Sequence, residues 1–263
     1  MRIPMFHIDA FTTRRFAGNP AAVMPLGTFL EDVVLQKIAA ENNLSETAFL
    51  VPAGDDYSLR WFTPVTEVPL CGHATLASAA LVMQRLEPER NLVVFHSASG
   101  PLTVNRTNTG YLMDFPARPS QSISTPPGLA DALGVEPLEV FNNQFNYLAL
   151  VENESVLRGL APDMVAISRL DRPGVIVTAP AEKDYDFVSR YFAPAKGIPE
   201  DPVTGAAHCM LAPYWANRLG KTVFRAFQAS RRGGEVTCEL RDDRVKLEGA
   251  CVFYLEGEVE IDT

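Results

Sequence analysis

Asp56-Tyr-Ser-Leu-Arg-Trp-Phe-Thr-Pro-Val-Thr-Glu-Val-Pro69 is echoed later in the chain by Asp186-Phe-Val-Ser-Arg-Tyr-Phe-Ala-Pro-Ala-Lys-Gly-Ile-Pro199. Asp56, Arg60, Phe62, Pro64 and Pro69 recur as Asp186, Arg190, Phe192, Pro194 and Pro199 at a constant offset of 130 residues, about half the chain, and Trp61 pairs with Tyr191. Five identities at one unbroken offset point to duplication rather than chance. Two further pairs follow, Phe95-His-Ser-Ala-Ser-Gly100 with Phe227-Gln-Ala-Ser-Arg-Arg-Gly-Gly234, and the hairpin turns Asn108-Thr-Gly110 with Arg241-Asp-Asp-Arg244. The pattern predicts an α/β (α+β) chain of two pseudo-symmetric halves, 1–118 and 119–263, each a mostly antiparallel sheet wrapped around a central helix. The linker is expected between Pro116 and Pro127, where Pro, Ser, Gln and Thr dominate.

Each half reads as strands, a helix, more strands, a more apolar helix and a closing hairpin. Thr28-Phe-Leu-Glu31 has the capping-box pattern and predicts a helix with Leu30, Val34 and Ile38 on one face, ending near Asn42-Asn43. From Ala74 to about Leu86 the chain has scarcely a polar face, so this second helix must be surrounded by protein. Its repeat partner is expected from Thr204 to Leu219, with Gly220 past its end and a kink at Pro213.

The 263 residues are 47% hydrophobic and 21% charged, with a formal net charge of −9. Mean hydropathy is +0.01. Such a composition excludes disorder, and the acidic balance argues against nucleic acid or an anionic membrane as partner. The opening MRIPMFHIDAF lacks a signal-peptide pattern, and no apolar run approaches the roughly 18–20 residues of a membrane span, so the expected location is cytoplasmic. Cys209, Cys238 and Cys251 read as small core residues, since no CxxC pair exists among the four cysteines. No HxxxH spacing suggests a metal, and no GxGxxG, GxxxxGK[ST] or GxSxG suggests a nucleotide cofactor or an acyl hydrolase. Neither cofactor nor metal is expected, and the chemistry must rest on side chains.

A duplicated fold predicts a cleft between its halves. The starts of the two apolar helices, Leu70-Cys-Gly-His-Ala-Thr75 and Glu200-Asp-Pro-Val-Thr-Gly205, offer unpaired N–H groups and positive dipole ends to an anion, with Gly72, Gly205 and Ala206 allowing close approach. The 130 offset sets Cys71 opposite Asp201. Glu46 lies in Leu44-Ser-Glu-Thr-Ala-Phe-Leu-Val51, where strand alternation puts it beside Leu44, Ala48 and Leu50. Its counterpart falls near Gly174, so the carboxylate is not part of the repeat. On pattern alone it reads equally as a desolvated acid/base or as a solvated residue at a strand start. His73 and His208 are the further titratable candidates.

Phe16-Ala-Gly-Asn-Pro20, Asn43-Leu-Ser-Glu-Thr47, Phe62-Thr-Pro64 with Cys71-Gly-His73, and Glu200-Asp-Pro-Val-Thr-Gly-Ala-Ala-His208 together resemble the PhzF-like phenazine-biosynthesis isomerase family over nearly the whole chain. The resemblance implies the diaminopimelate epimerase fold, a homodimer, and proton-shift isomerisation of a small carboxylic acid of the trans-2,3-dihydro-3-hydroxyanthranilate type. It also implies Glu46 as acid/base with His73 and Asp201 flanking the substrate. Asn19, Ser45, Gly72, Thr204, Gly205 and Ala206 would bind it. Ala206 departs from the serine of many relatives, which removes one hydroxyl contact. Two alternatives stand beside this reading: an amino-acid racemase or epimerase, for which Cys71 supplies only one of two thiols, and a small-acid binding protein without catalysis. Cys71 itself reads as a packing residue.

Overall fold

The computed structural model describes residues 1–262. The chain forms two compact units: Met1–Asp114 together with Glu248–Thr263, and Phe115–Leu247. The single cut expected at 118/119 therefore leaves out the return of the C-terminal strand to the first unit.

The first unit begins β1 (Arg2–Ala10), β2 (Asn19–Pro25), α1 (Asp32–Asn42), β3 (Glu46–Ala53), β4 (Asp56–Phe62), β5 (Glu67–Val68) and α2 (Gly72–Leu81). It continues with β6 (Leu92–Ser97), β7 (Gly100–Arg106) and β8 (Tyr111–Pro116). The second unit holds β9 (Gln121–Ile123), α3 (Leu129–Leu133), β10 (Glu139–Asn142), β11 (Asn146–Leu150), α4 (Glu154–Gly159), α5 (Met164–Ser168) and β12 (Gly174–Pro180). It goes on through β13 (Phe187–Ala193), β14 (Ile198–Glu200), α6 (Gly205–Leu219), β15 (Val223–Gln228), β16 (Gly234–Arg241) and β17 (Arg244–Gly249). The last strand, β18 (Cys251–Glu260), pairs antiparallel with β1.

Pairing repeats strand for strand. In the first unit β1·β2 is antiparallel, β2·β3 parallel, β3·β4 antiparallel, β4·β6 parallel and β6·β7 antiparallel. In the second, β10·β11, β11·β12, β12·β13, β13·β15 and β15·β16 follow the same sequence of senses. The parallel pairs are the ones that need helical crossovers, and helices lie between their strands in the chain. β9 lies inside the stretch expected to be a structureless linker and pairs with β10, as β18 pairs with β1.

α2 packs on β1, β2, β3 and β18, and every residue from His73 to Leu81 is buried. Its hydroxyls are satisfied within the helix: Thr75 Oγ1 donates to the Cys71 carbonyl at 2.5 Å and Ser78 Oγ to the Ala74 carbonyl at 2.7 Å. A π-helical turn, Val82–Leu86, finishes it. α6 runs from Gly205 to Leu219 through Pro213, and Gly220 closes it in the left-handed conformation at φ 65°. Proline cannot donate to the Cys209 carbonyl one turn back. The Arg118 backbone N–H does so instead, at 2.9 Å.

α1 departs from its predicted start. It begins at Asp32 with Glu31 as N-cap and no side-chain cap bond, so the Thr28 capping box does not form. Its buried face is Leu35, Ile38 and Ala39, with Leu30 and Val34 only partly covered. Among the described residues, no helix is long and apolar enough to cross a membrane.

Register also corrects the pairing of the helix starts. Ala48 faces Trp61 and Ile176 faces Tyr191, so Gly174 stands where Glu46 stands at the start of its strand. Phe62 pairs with Glu67, but Phe192 pairs with Glu200, because the turn Pro194–Lys196 adds three residues. Arg60 and Arg190 make the matching bidentate bonds, at 2.7 and 2.7 Å to Glu67 and at 2.7 and 3.0 Å to Glu200. The offset is thus 133 from this point on, and the N-cap Cys71 corresponds to the N-cap Thr204, not to Asp201.

Candidate active site

In the first unit a tight turn delivers Asn19 to the start of β2. Gly18 has φ +67°, and a Cβ there would lie 2.2 Å from the Ala10 carbonyl oxygen, so glycine is required. The Phe16 N–H donates to Asp9 Oδ2 at 3.1 Å and holds the turn. Asn43, in the left-handed region at φ 49°, ends α1 and turns the chain into β3, whose first residue is Glu46. Parallel pairing with β2 sets Glu46 beside Ala21, two residues from Asn19. α2 then supplies His73 from its first turn.

These side chains meet in the interior: Asn19 is 0% exposed, Glu46 8%, Cys71 6% and His73 5%. Asn19 Nδ2 lies 3.2 Å from His73 Nδ1, and Cys71 Sγ lies 3.5 Å from the same nitrogen. With the Asn19 amide nitrogen donating, Nδ1 accepts and Nε2 carries the proton; Nε2 lies 3.3 Å from Glu46 Oε2, and the two atoms do not hydrogen-bond to each other. Burial pushes the His73 pKa down to about 3, with the Pro20 carbonyl pulling the other way. A neutral imidazole is thus packed against the buried Glu46 carboxylate, a contact that limits where the acid can point. The solvated alternative for Glu46 is excluded by its burial. Ser45 and Gly72 are half-buried at the rim of this group.

Glu46, Cys71 and His73 also offer a carboxylate, a thiol and an imidazole whose ligand atoms lie within 4.8 Å of one another. A soft divalent cation would accept this donor set. No sequence spacing reveals it, because the three donors come from a strand start, an N-cap and a helix.

In the second unit Asp201 is 8% exposed and its N–H donates to the Tyr191 carbonyl at 3.0 Å. The Thr204 hydroxyl donates to Asp201 Oδ2. Gly205 is buried and Ala206 exposed on the first turn of α6, whose positive end favours a nearby carboxylate. His208 is a core histidine. It is 0% exposed, its Nδ1 lies 2.8 Å from the Thr204 carbonyl oxygen, and burial pushes its pKa down to about 4 against that hydrogen bond. Cys209 and Cys238 are buried, as read from the sequence, and Cys251 is partly covered.

Gln228 is the residue that sequence reading did not single out. It is fully buried; its Oε1 accepts the Thr204 N–H at 2.9 Å, and its Nε2 donates to the Asp201 carbonyl at 2.7 Å and lies 3.2 Å from Thr204 Oγ1. A polar residue at the inward-facing end of Val223-Phe-Arg-Ala-Phe-Gln228 was the available signal. Gln228→Leu strands a buried donor and acceptor and is expected to cost about 2–4 kcal/mol in urea unfolding. An unchanged midpoint would mean that the Asp201–Thr204 segment is held by other contacts.

The phenazine biosynthesis-like protein family (PhzC-PhzF) matches residues 8–257. An uncharacterized isomerase of Pseudomonas aeruginosa is 47% identical over 261 residues, covering 99% of this chain and 100% of that protein. The crystal structure of a PhzF-family phenazine biosynthesis protein from Enterococcus faecalis superposes with a TM-score of 0.96 at 42% identity, covering 99% of this chain and 100% of that one. A probable proline racemase of Agrobacterium radiobacter shares the fold, with a TM-score of 0.63 at 14% identity over 99% of this chain and 93% of that one. With a duplicated epimerase-like fold and a match along nearly its full length, the chain belongs to the phenazine biosynthesis-like isomerase family.

Proposed function

We propose that the chain is a cofactor-independent isomerase that moves a proton within a small carboxylic acid of the trans-2,3-dihydro-3-hydroxyanthranilate type. Glu46 takes a proton from a carbon next to an unsaturated system. The electron pair spreads over that system, and the same carboxylic acid returns the proton to another carbon on the same face. His73 orients Glu46, and Asp201 is the second proton-handling group. Backbone N–H groups at Gly72, Gly205 and Ala206, with Asn19, Ser45 and Thr204, bind the acid.

The observation that carries this reading is the buried Glu46 carboxylate 3.3 Å from Nε2 of the buried His73. A positioned acid/base of this kind is what proton transfer between carbons requires. The register weighs against the racemase alternative, since Thr204, a hydroxyl of far higher pKa than a thiol, stands where a second cysteine would be needed.

Proton NMR in heavy water provides the test, with the dihydro compound and a panel of amino acids incubated separately. Disappearance of the dihydro compound with deuterium entering its ring is the expected result. Exchange confined to an amino-acid α-proton would transfer the assignment to the racemase reading, and no exchange with any of them would overturn the proposed substrate class.

A further inference from the structure

The first residue of β3, the N-cap of α2 and its first turn bring Glu46, Cys71 and His73 together, all within the first unit. Their ligand atoms lie within 4.8 Å of one another. Glu46 Oε2 is 3.3 Å from His73 Nε2, and Cys71 Sγ is 3.5 Å from His73 Nδ1. Zinc bonds of about 2.0 Å to oxygen or nitrogen and about 2.3 Å to sulfur, at tetrahedral angles, set such donors about 3.3–3.6 Å apart. The carboxylate already stands at that spacing from Nε2, and the thiol reaches the same ion by turning about its one side-chain torsion.

A buried ring nitrogen points to a ligand here. Among the described residues nothing hydrogen-bonds to Nε2 of His73, which is 5% exposed. A polar atom left so in the interior costs stability until something fills the position. The backbone meanwhile holds the other donors in place. The Cys71 carbonyl accepts both the Thr75 N–H at 3.2 Å and Thr75 Oγ1 at 2.5 Å, and parallel pairing with β2 fixes Glu46 beside Ala21.

Charge and softness select the ion. A carboxylate and a thiolate bring two negative charges and the imidazole none, so a divalent cation leaves the loaded site neutral, as a buried position requires. Thiolate and imidazole favour a soft or borderline metal such as zinc. Magnesium, which prefers an octahedron of oxygens, is a poor match.

We propose that Glu46, Cys71 and His73 form an inhibitory binding site for a soft divalent cation, Zn²⁺ being the best match. On binding, the Cys71 S–H bond breaks, its proton goes to solvent and a Zn–S bond forms. The imidazole exchanges its Nε2 proton for one on Nδ1 and ligates through Nε2. The Asn19 amide turns over, so that its carbonyl oxygen accepts the Nδ1 proton and orients the ring. The effect on turnover rests on the isomerase reading: with its carboxylate on the ion, Glu46 cannot take a proton from carbon. Binding itself is measurable without turnover.

Calorimetric titration of the reduced, metal-free full chain with Zn²⁺ and Mg²⁺, and a Co²⁺ titration followed by absorbance, test the site. Zn²⁺ is expected to bind one per chain and Mg²⁺ not at all, while Co²⁺ gives a thiolate-to-metal charge-transfer band. Cys71→Ser is expected to abolish that band and to weaken Zn²⁺ about 100-fold, and Glu46→Gln to weaken it about tenfold. Thermal melts identify any variant that unfolds, and Cys71→Ala then replaces Cys71→Ser. A band that survives the loss of Cys71, or Zn²⁺ affinity less than tenfold below wild type without that thiol, would overturn the site. At a Zn²⁺ concentration about ten times the wild-type Kd, deuterium exchange is expected to slow about tenfold in the wild type and less than twofold in Cys71→Ser. Cys71-dependent Zn²⁺ binding with no exchange by the metal-free chain on any acid would leave the site standing and remove the isomerase reading. Exchange that Zn²⁺ does not slow, in a chain that binds none, would do the reverse.

Discussion

Glu46→Gln is expected to lower the rate of deuterium exchange into the substrate by at least about 10³-fold, toward the upper end of what a positioned acid/base contributes. The amide is nearly isosteric with the carboxylate and fits the same place 3.3 Å from His73 Nε2, so geometry is retained while the ability to take a proton is lost. Thermal unfolding should therefore stay close to wild type. Glu46→Asp withdraws the carboxylate by one methylene and is expected to fall between the two, about 10- to 100-fold below wild type, because a displacement of about 1 Å disrupts alignment with the reacting carbon. Single-turnover NMR on the three proteins separates these outcomes. Retention of more than a tenth of the wild-type rate in Glu46→Gln would take the acid/base role away from this residue.

Acidification is expected to destabilise the fold well above the ordinary carboxylate range. His73 and His208 are both buried neutral, with pKa values pushed from 6.5 down to about 3 and about 4. Below pH 6.5 the unfolded chain takes up two protons that the folded chain refuses. The stability these residues contribute is present above 6.5 and drains away as pH falls toward 4. Each proton is worth about 1.4 kcal/mol per pH unit, hence about 4 kcal/mol for the pair at pH 5, a large part of a typical stability. Urea midpoints between pH 7 and pH 5 should show this slope, and His208→Gln should halve it. His208 is the cleaner reporter because it bonds a backbone carbonyl, whereas His73 faces the Glu46 carboxylate. A flat profile would mean that water reaches both rings.

The duplication was legible because identical residues at a constant spacing survive in strands. Arg60 and Arg190 recur because each makes the same bidentate pair with a glutamate on the neighbouring short strand. The buried helices were legible for a related reason, since Gly72–Leu81 has no face that water could accept. The loops were less readable. Three extra residues in the Pro194–Lys196 turn moved the partner of Cys71 from Asp201 to Thr204, and a constant offset cannot register an insertion. The capping box at Thr28 failed because a local hydroxyl and carboxylate pattern does not set where a helix begins once packing of Leu35 and Ile38 decides it.

The sequence by itself determined the two α/β halves, the apolar helices at their centres and, through its ordered motifs, the family. Those properties follow from periodicity and from residue identity along the chain. Only the tertiary structure decided that Glu46 is buried, that a neutral His73 stands 3.3 Å from it, and that Gln228 holds Asp201 and Thr204 in place. It alone shows Arg118 satisfying the carbonyl that Pro213 leaves open. Desolvation and hydrogen-bond pairing depend on which distant segments close around a group, and no local pattern records that.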